Sequence, residues 1–234
     1  MRTGGASRLH RQTIGPELSA FPAARGALSP LIATLDPRSS AALDGTPLGR
    51  AAPAVVLSAA MNDPFHLRDE VAADAPAIAG VVTEAFGQAA EAELIAALRA
   101  AGALSISLVA VTDDGGLVGH VAFSPVTVED AGGDRLFGLA PLAVAGGWQG
   151  RGVGGALVEA GLARARARGG DLAVVLGEPA YYRRFGFRPA TAWGIAWEHE
   201  APPEAFMALE LRPGAGVGWR GRLRYHPAFD RFPA

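Results

Sequence analysis

The chain's strongest constraint is a strand that runs through glycines directly into a helix: Leu142-Ala143-Val144-Ala145-Gly146-Gly147-Trp148-Gln149-Gly150-Arg151-Gly152-Val153-Gly154-Gly155-Ala156-Leu157. The first backbone N–H groups of a helix have no partner within it, and the helix dipole puts partial positive charge there, so such an end favours phosphate oxygens. Gly150, Gly152, Gly154 and Gly155 remove the side chains that would hold a pyrophosphate away from this backbone. Glycines at a helix start cost stability unless something must approach closely. By itself the run is ambiguous, because Gly150-Arg151-Gly152-Val153-Gly154-Gly155 also satisfies the G-x-G-x-x-G pattern of dinucleotide-binding folds. Glu178 then stands where a ribose-binding acid would be expected.

The surrounding pattern separates the two readings. Phe65 to Arg68 reads as a short strand, and Asp74 as the cap of a helix whose Ile78, Val81, Val82 and Phe86 share one face. A second helix from about Ala90 to Ala100 ends at Gly102. Ser105–Val111 and Leu117–Ser124 read as strands of a hairpin turning at Asp113-Asp114-Gly115-Gly116, and Arg135–Val144 as a third strand after a turn at Asp130–Asp134. The helix after the glycines directs Val153, Leu157 and Ala160 inward, carries Arg164, Arg166 and Arg168 near its end, and stops at Gly169-Gly170. Strands at Leu172–Leu176, Trp193–Trp197 and Ala205–Leu211 follow, with a helix after the first. Antiparallel strands before the motif, and too few residues after it for a doubly wound sheet, argue for an α+β mixed sheet and against a nicotinamide-binding oxidoreductase.

With the segment Ala180-Tyr181-Tyr182-Arg183-Arg184-Phe185-Gly186-Phe187 added, residues 64 to 211 resemble the Gcn5-related N-acetyltransferase (GNAT) family in its stand-alone bacterial form. The resemblance implies an acyl-CoA N-acyltransferase fold, a mostly antiparallel central sheet flanked by helices, over residues 64–234. It also implies acetyl-CoA as co-substrate, bound by Gln149, Gly150, Arg151, Gly152, Val153, Gly154, Gly155 and Tyr181, with the bulged strand's backbone at Leu142, Ala143 and Val144 facing the pantetheine arm and the acetyl oxygen. Tyr182 takes the place of the family's tyrosine that protonates the CoA sulfur, and Tyr181 reads as packing. Gly177-Glu178-Pro179 departs from the asparagine that many members carry there. The family's acceptor site borders the first helices, which makes Glu84, Glu91, Glu93 and His120 candidates for the general base, with Glu84 and His120 ranked first. A water chain is the alternative.

Composition narrows the chemistry. All 21 basic residues are arginine, which excludes a P-loop or Schiff-base lysine, and with no cysteine there is no disulfide, thiolate metal site or cysteine acyl-enzyme. The five histidines have no metal-ligand spacing, and a formal charge of -2 offers no electrostatic case for nucleic acid or anionic membrane. No apolar run reaches the roughly 18 residues of a membrane span. The expected protein is therefore a soluble cytoplasmic transferase acting on an amine, small molecule or protein, with a homodimer left open and a CoA-binding module without turnover as the alternative. Residues 1–60, rich in Ala, Gly, Pro, Ser and Arg, read as a disordered extension, or as a start placed upstream of Met61. A transit-peptide reading rests on a weaker compositional likeness.

Overall fold

The computed structural model describes residues 65–130 and 135–231; the expected disordered extension at 1–60 lies outside them. Strand β1 (Phe65–Asp69) leads to helices α1 (Ala75–Phe86) and α2 (Ala90–Ala100). Strands β2 (Ile106–Thr112), β3 (Leu117–Val128) and β4 (Leu136–Val144) follow, then α3 (Val153–Ala167) and β5 (Leu172–Leu176). A four-residue helix α4 (Pro179–Tyr182) and strands β6 (Arg188–Pro189), β7 (Ile195–Trp197), β8 (Phe206–Glu210) and β9 (Gly221–Tyr225) complete the described elements.

The sheet order is β1-β2-β3-β4-β5-β8-β6, with β9 joined to the far end of β3 and β7 to β9. Neighbours are antiparallel except β4–β5 and β7–β9. This is the expected mixed sheet, and a doubly wound parallel sheet is ruled out. Alternation along β2 assigns the faces: Leu108 and Ala110 pack with Val153, Leu157, Val158 and Leu162 of α3, while Val109 and Val111 pack with Ile78, Val81 and Val82 of α1 and Ile95 of α2.

Several local expectations need correction. Asp74 does not cap α1 with its side chain; its carboxylate accepts from the Val71 N–H at 2.7 Å and pairs with Arg68 at 2.6 Å. That ion pair removes the carboxylate from the helix end. Phe86, half-buried, does share the packed face of Ile78, Val81 and Val82, and Ala160 is partly buried against the cluster that holds Val153 and Leu157. β3 runs on to Val128, because β9 provides a partner for Val126–Val128. Trp193 belongs to a 3-10 turn, so β7 keeps only three residues. β9 has no counterpart among the strands expected from the sequence.

Gly161 shows how closely α3 lies on the sheet: a Cβ there would overlap the Phe123 ring. Alanine normally gains about 1 kcal/mol over glycine inside a helix. Here the clash is with a fully buried ring, and overpacking costs about 1–3 kcal/mol. Gly161→Ala is therefore expected to lower the melting temperature by several degrees, and a thermal melt showing stabilisation would contradict this packing.

Candidate active site

The site is built where the sheet opens. β4 and β5 pair only through Leu136–Leu172, Phe137–Ala173 and Gly138–Val174; beyond Gly138 no described strand pairs with β4 on that side, so the two strands form a fork. On its other edge β4 stays paired to β3, but the register moves from Val121–Leu142 to Phe123–Leu139. β4 thus holds one extra residue at Ala140-Pro141, the bulge the family resemblance implied. Its edge at Leu139–Val144 has no strand partner on the fork side among the described residues, and Leu142 and Ala143 are fully buried.

At the mouth of the fork lies a cleft lined by Val144, Trp148, Gln149, Gly150, Gly152, Val153, Gly154, Gly155, Tyr181 and Arg184. Most of the residues expected to bind cofactor therefore converge. Gly152 has φ +86°, the left-handed conformation that frees the chain to turn into α3. The Ala156 N–H donates to the Gly152 carbonyl at 3.0 Å and closes the first turn, so the Val153, Gly154 and Gly155 N–H groups precede the helical ladder at the cleft. Gln149 Nε2 donates to the Val144 carbonyl at 3.1 Å and ties the loop to the end of β4.

Arg151, expected among the binding residues, is not in the lining; its guanidinium lies 5.4 Å from the Trp148 ring centroid. Arg184, not singled out from sequence, is in the lining, stacked 4.0 Å over Tyr181 and 4.8 Å over Phe185. It adds a fixed cation to the positive end of α3. The Tyr-Tyr-Arg-Arg-Phe run contained this signal, but only the fold distinguishes the stacked arginine from its neighbour.

Tyr181 forms part of the cleft wall, and Tyr182 sits behind it, ring centroids 5.0 Å apart and nearly perpendicular. The Tyr182 hydroxyl is buried with no hydrogen-bond partner among the described residues. Burial, reinforced by the neighbouring Tyr181 and Tyr225 phenols, pushes its pKa well above the ordinary tyrosine range. It therefore remains protonated. Tyr225, absent from the sequence reading, lies against the base of the fork, since a Cβ on Gly138 would meet its ring at 2.5 Å. Its hydroxyl and that of Ser124, the residue paired with Gly138, are also buried without partners among the described residues.

The base candidates are scattered. Glu84 is exposed, and its Oε1 accepts from the Gly146 N–H at 3.2 Å, linking α1 to the loop after β4. Glu91 is buried and accepts from Gln88 Nε2 at 2.9 Å, whereas Glu93 faces outward. His120 is completely buried on β3, in register with Val109 and Ala143 and so on the α1 face of the sheet. Burial pushes its pKa below the ordinary histidine range, against the pull of Glu70. Among the described residues no cluster of acids and histidines could hold a metal.

Comparison with known proteins places this geometry. Residues 105–189, from the start of β2 through β6, match the sequence profile described as an acetyltransferase (GNAT) domain. The chain is 39% identical over 168 residues to the uncharacterized N-acetyltransferase YhbS of Escherichia coli, covering 71% of this chain and 99% of YhbS. The chain belongs to the GNAT family of N-acetyltransferases. It is also 40% identical over 147 residues to the uncharacterized N-acetyltransferase YjhQ of Escherichia coli, covering 58% of this chain and 80% of YjhQ. Among solved GNAT structures, E. coli YhbS in complex with CoA aligns at TM-score 0.69 and 36% identity, over 79% of this chain and 97% of that one. A GNAT acetyltransferase from Brucella melitensis in complex with acetyl-CoA aligns at TM-score 0.59 and 38% identity, over 72% and 100%. No described helix is long and apolar enough to cross a membrane.

Proposed function

We propose that this GNAT enzyme transfers the acetyl group of acetyl-CoA to a primary amine, on a small molecule or a protein, by direct attack in a ternary complex in the cytoplasm. The observation that carries the reading is the coincidence of the β4–β5 fork with the glycine-lined cleft at the start of α3. Backbone N–H groups at Gly150, Gly152, Gly154 and Gly155, with the Arg184 cation beside them, suit the pyrophosphate. The open edge of β4 at Leu142–Val144 suits the pantetheine arm. It also presents fixed dipoles to the thioester oxygen, which stabilise a developing oxyanion without reorganising. Holding amine and thioester in contact supplies much of the remaining rate.

Tyr182 is the assigned proton donor to the departing thiolate, since its hydroxyl stays protonated and has no hydrogen-bond partner among the described residues. Proton removal from the amine is assigned to His120 in preference to Glu84, whose carboxylate is engaged at the Gly146 N–H. With no cysteine in the sequence, direct transfer is favoured over a thioester-linked acyl-enzyme. The test is release of free CoA thiol from acetyl-CoA across a panel of polyamines, amino acids, aminoglycosides and amine-bearing peptides. Amine-dependent release is expected. Tight CoA binding with no release on any amine would favour a binding module instead.

A further inference from the structure

His120 has neighbours that none of the transfer chemistry above has used. Ser107 Oγ lies 2.8 Å from His120 Nε2 and 2.5 Å from Glu70 Oε2. Glu70 is itself held by Arg99, through Nε at 2.8 Å and Nη2 at 3.1 Å. Its own separation from His120 Nε2 is 3.7 Å, so the hydroxyl mediates between carboxylate and ring. Burial would raise the Glu70 carboxyl, but His120, Arg99 and Ser107 outweigh it and hold it well below the usual carboxylate range. Glu70 is thus an ionised acceptor.

The donor count then fixes the ring. An ionised carboxylate can only accept, so the single proton of Ser107 goes to Glu70, and the Ser107 oxygen must accept from His120. Nε2 therefore carries the proton of the neutral imidazole, and Nδ1 is a bare lone pair. That Nδ1 is buried and has no hydrogen-bond partner among the described residues. Its register partners Val109 of β2 and Ala143 of β4 belong to an apolar cluster with Ile78, Val81 and Val82 of α1 and Ile95 of α2, on the same face of the sheet. The charged groups acting on His120 are Glu70 and Arg99. Ala143, its partner across the β3–β4 ladder, lies just past the bulge on the strand that borders the fork.

We infer that Glu70 and Ser107 are positioning residues that hold His120 as its Nε2–H tautomer and so leave Nδ1 as the proton acceptor of the transfer reaction. This rests on the assignment of His120 made above. As the amine nitrogen bonds to the acetyl carbon and the C–S bond breaks, the nitrogen's proton passes to Nδ1, directly or through one water, and Tyr182 gives its proton to sulfur. The ionised Glu70, acting through Ser107, stabilises the imidazolium so formed. As the product leaves, water on the acceptor side takes the new proton back from Nδ1 and one is returned to Tyr182, which restores the starting tautomer. A surface groove lined by Glu70, Arg99, Ser105, Ser107 and Arg168 brings solvent to the outer end of this chain of groups.

The test begins on wild-type protein, full length and loaded with CoA, with nitrogen-15 NMR of the labelled histidines. The expected result is His120 neutral at pH 7, protonated on Nε2 alone; a proton on Nδ1 would overturn the inference. In Ser107→Ala the tautomer should become mixed, and Ser107→Thr, which keeps the hydroxyl, should restore it. With the amine giving fastest thiol release, Ser107→Ala should lower kcat roughly 10-fold with the KM for acetyl-CoA unchanged, a part of what a general base contributes. Glu70→Gln should move the acid limb of the pH profile to lower pH, because loss of the carboxylate disfavours the imidazolium. Wild-type kcat in Ser107→Ala, or an acid limb unmoved in Glu70→Gln, would sink it. Failure of the wild type to bind acetyl-CoA would instead refute the cofactor reading, whatever the tautomer.

Discussion

Gly155→Val is expected to weaken acetyl-CoA binding about 100-fold, since obstructing the helix start forfeits one or two charge-assisted hydrogen bonds of about 1.5–3 kcal/mol each. Folding should survive, because a Cβ at this position meets nothing closer than the far end of Arg184, at 3.6 Å, and the backbone has no positive φ. The melting temperature of the ligand-free protein should therefore fall by only about 2–4 °C, the equivalent of about 1 kcal/mol. Gly152→Val makes an instructive contrast. Open space surrounds Gly152, but its φ of +86° strains any branched side chain. That variant should lose stability and binding together. Calorimetric titration with acetyl-CoA alongside thermal melts separates the two outcomes, and near-native affinity in Gly155→Val would remove the glycine loop from the binding site.

Tyr182→Phe is expected to lower turnover on the order of 100-fold, the scale of general-acid catalysis, with acetyl-CoA affinity retained. The structure adds a second signature. The Tyr182 hydroxyl is buried with no partner among the described residues, so its removal should leave the melting temperature unchanged or slightly raised. A packing tyrosine would give the same melting temperature, so the loss of rate is what separates the two roles. The deficit should also shrink with an acetyl donor whose thiol is more acidic, since a stabler thiolate needs less protonation. Wild-type turnover in Tyr182→Phe would end the assignment of the acid, and collapse of CoA binding would make the hydroxyl a binding contact instead.

The glycine run and the alternation of β2, β3 and β4 were legible in sequence because each is a local pattern: period 2 for strands, and glycines at a helix start. The bulge at Ala140-Pro141 was implied by family resemblance alone, because register depends on the partner strand and no residue of β4 announces it. β9 was illegible for a similar reason. Gly-Arg-Leu-Arg-Tyr has only Leu223 fully buried, and its strand character comes from pairing with Val126–Val128 and β7. With β9 went Tyr225. The Glu70–Ser107–His120 contact escaped because its members come from three segments up to 50 positions apart, and none carries a motif. Arg184 was visible as a residue, but its stacking on Tyr181 is a tertiary fact.

Calorimetric titration of the full-length protein with acetyl-CoA, run beside NADH and NADPH, tests the central claim most directly. Saturable binding of acetyl-CoA at one site per chain, with no heat from either nicotinamide dinucleotide, is the predicted result. Binding of NADH with none of acetyl-CoA would contradict it.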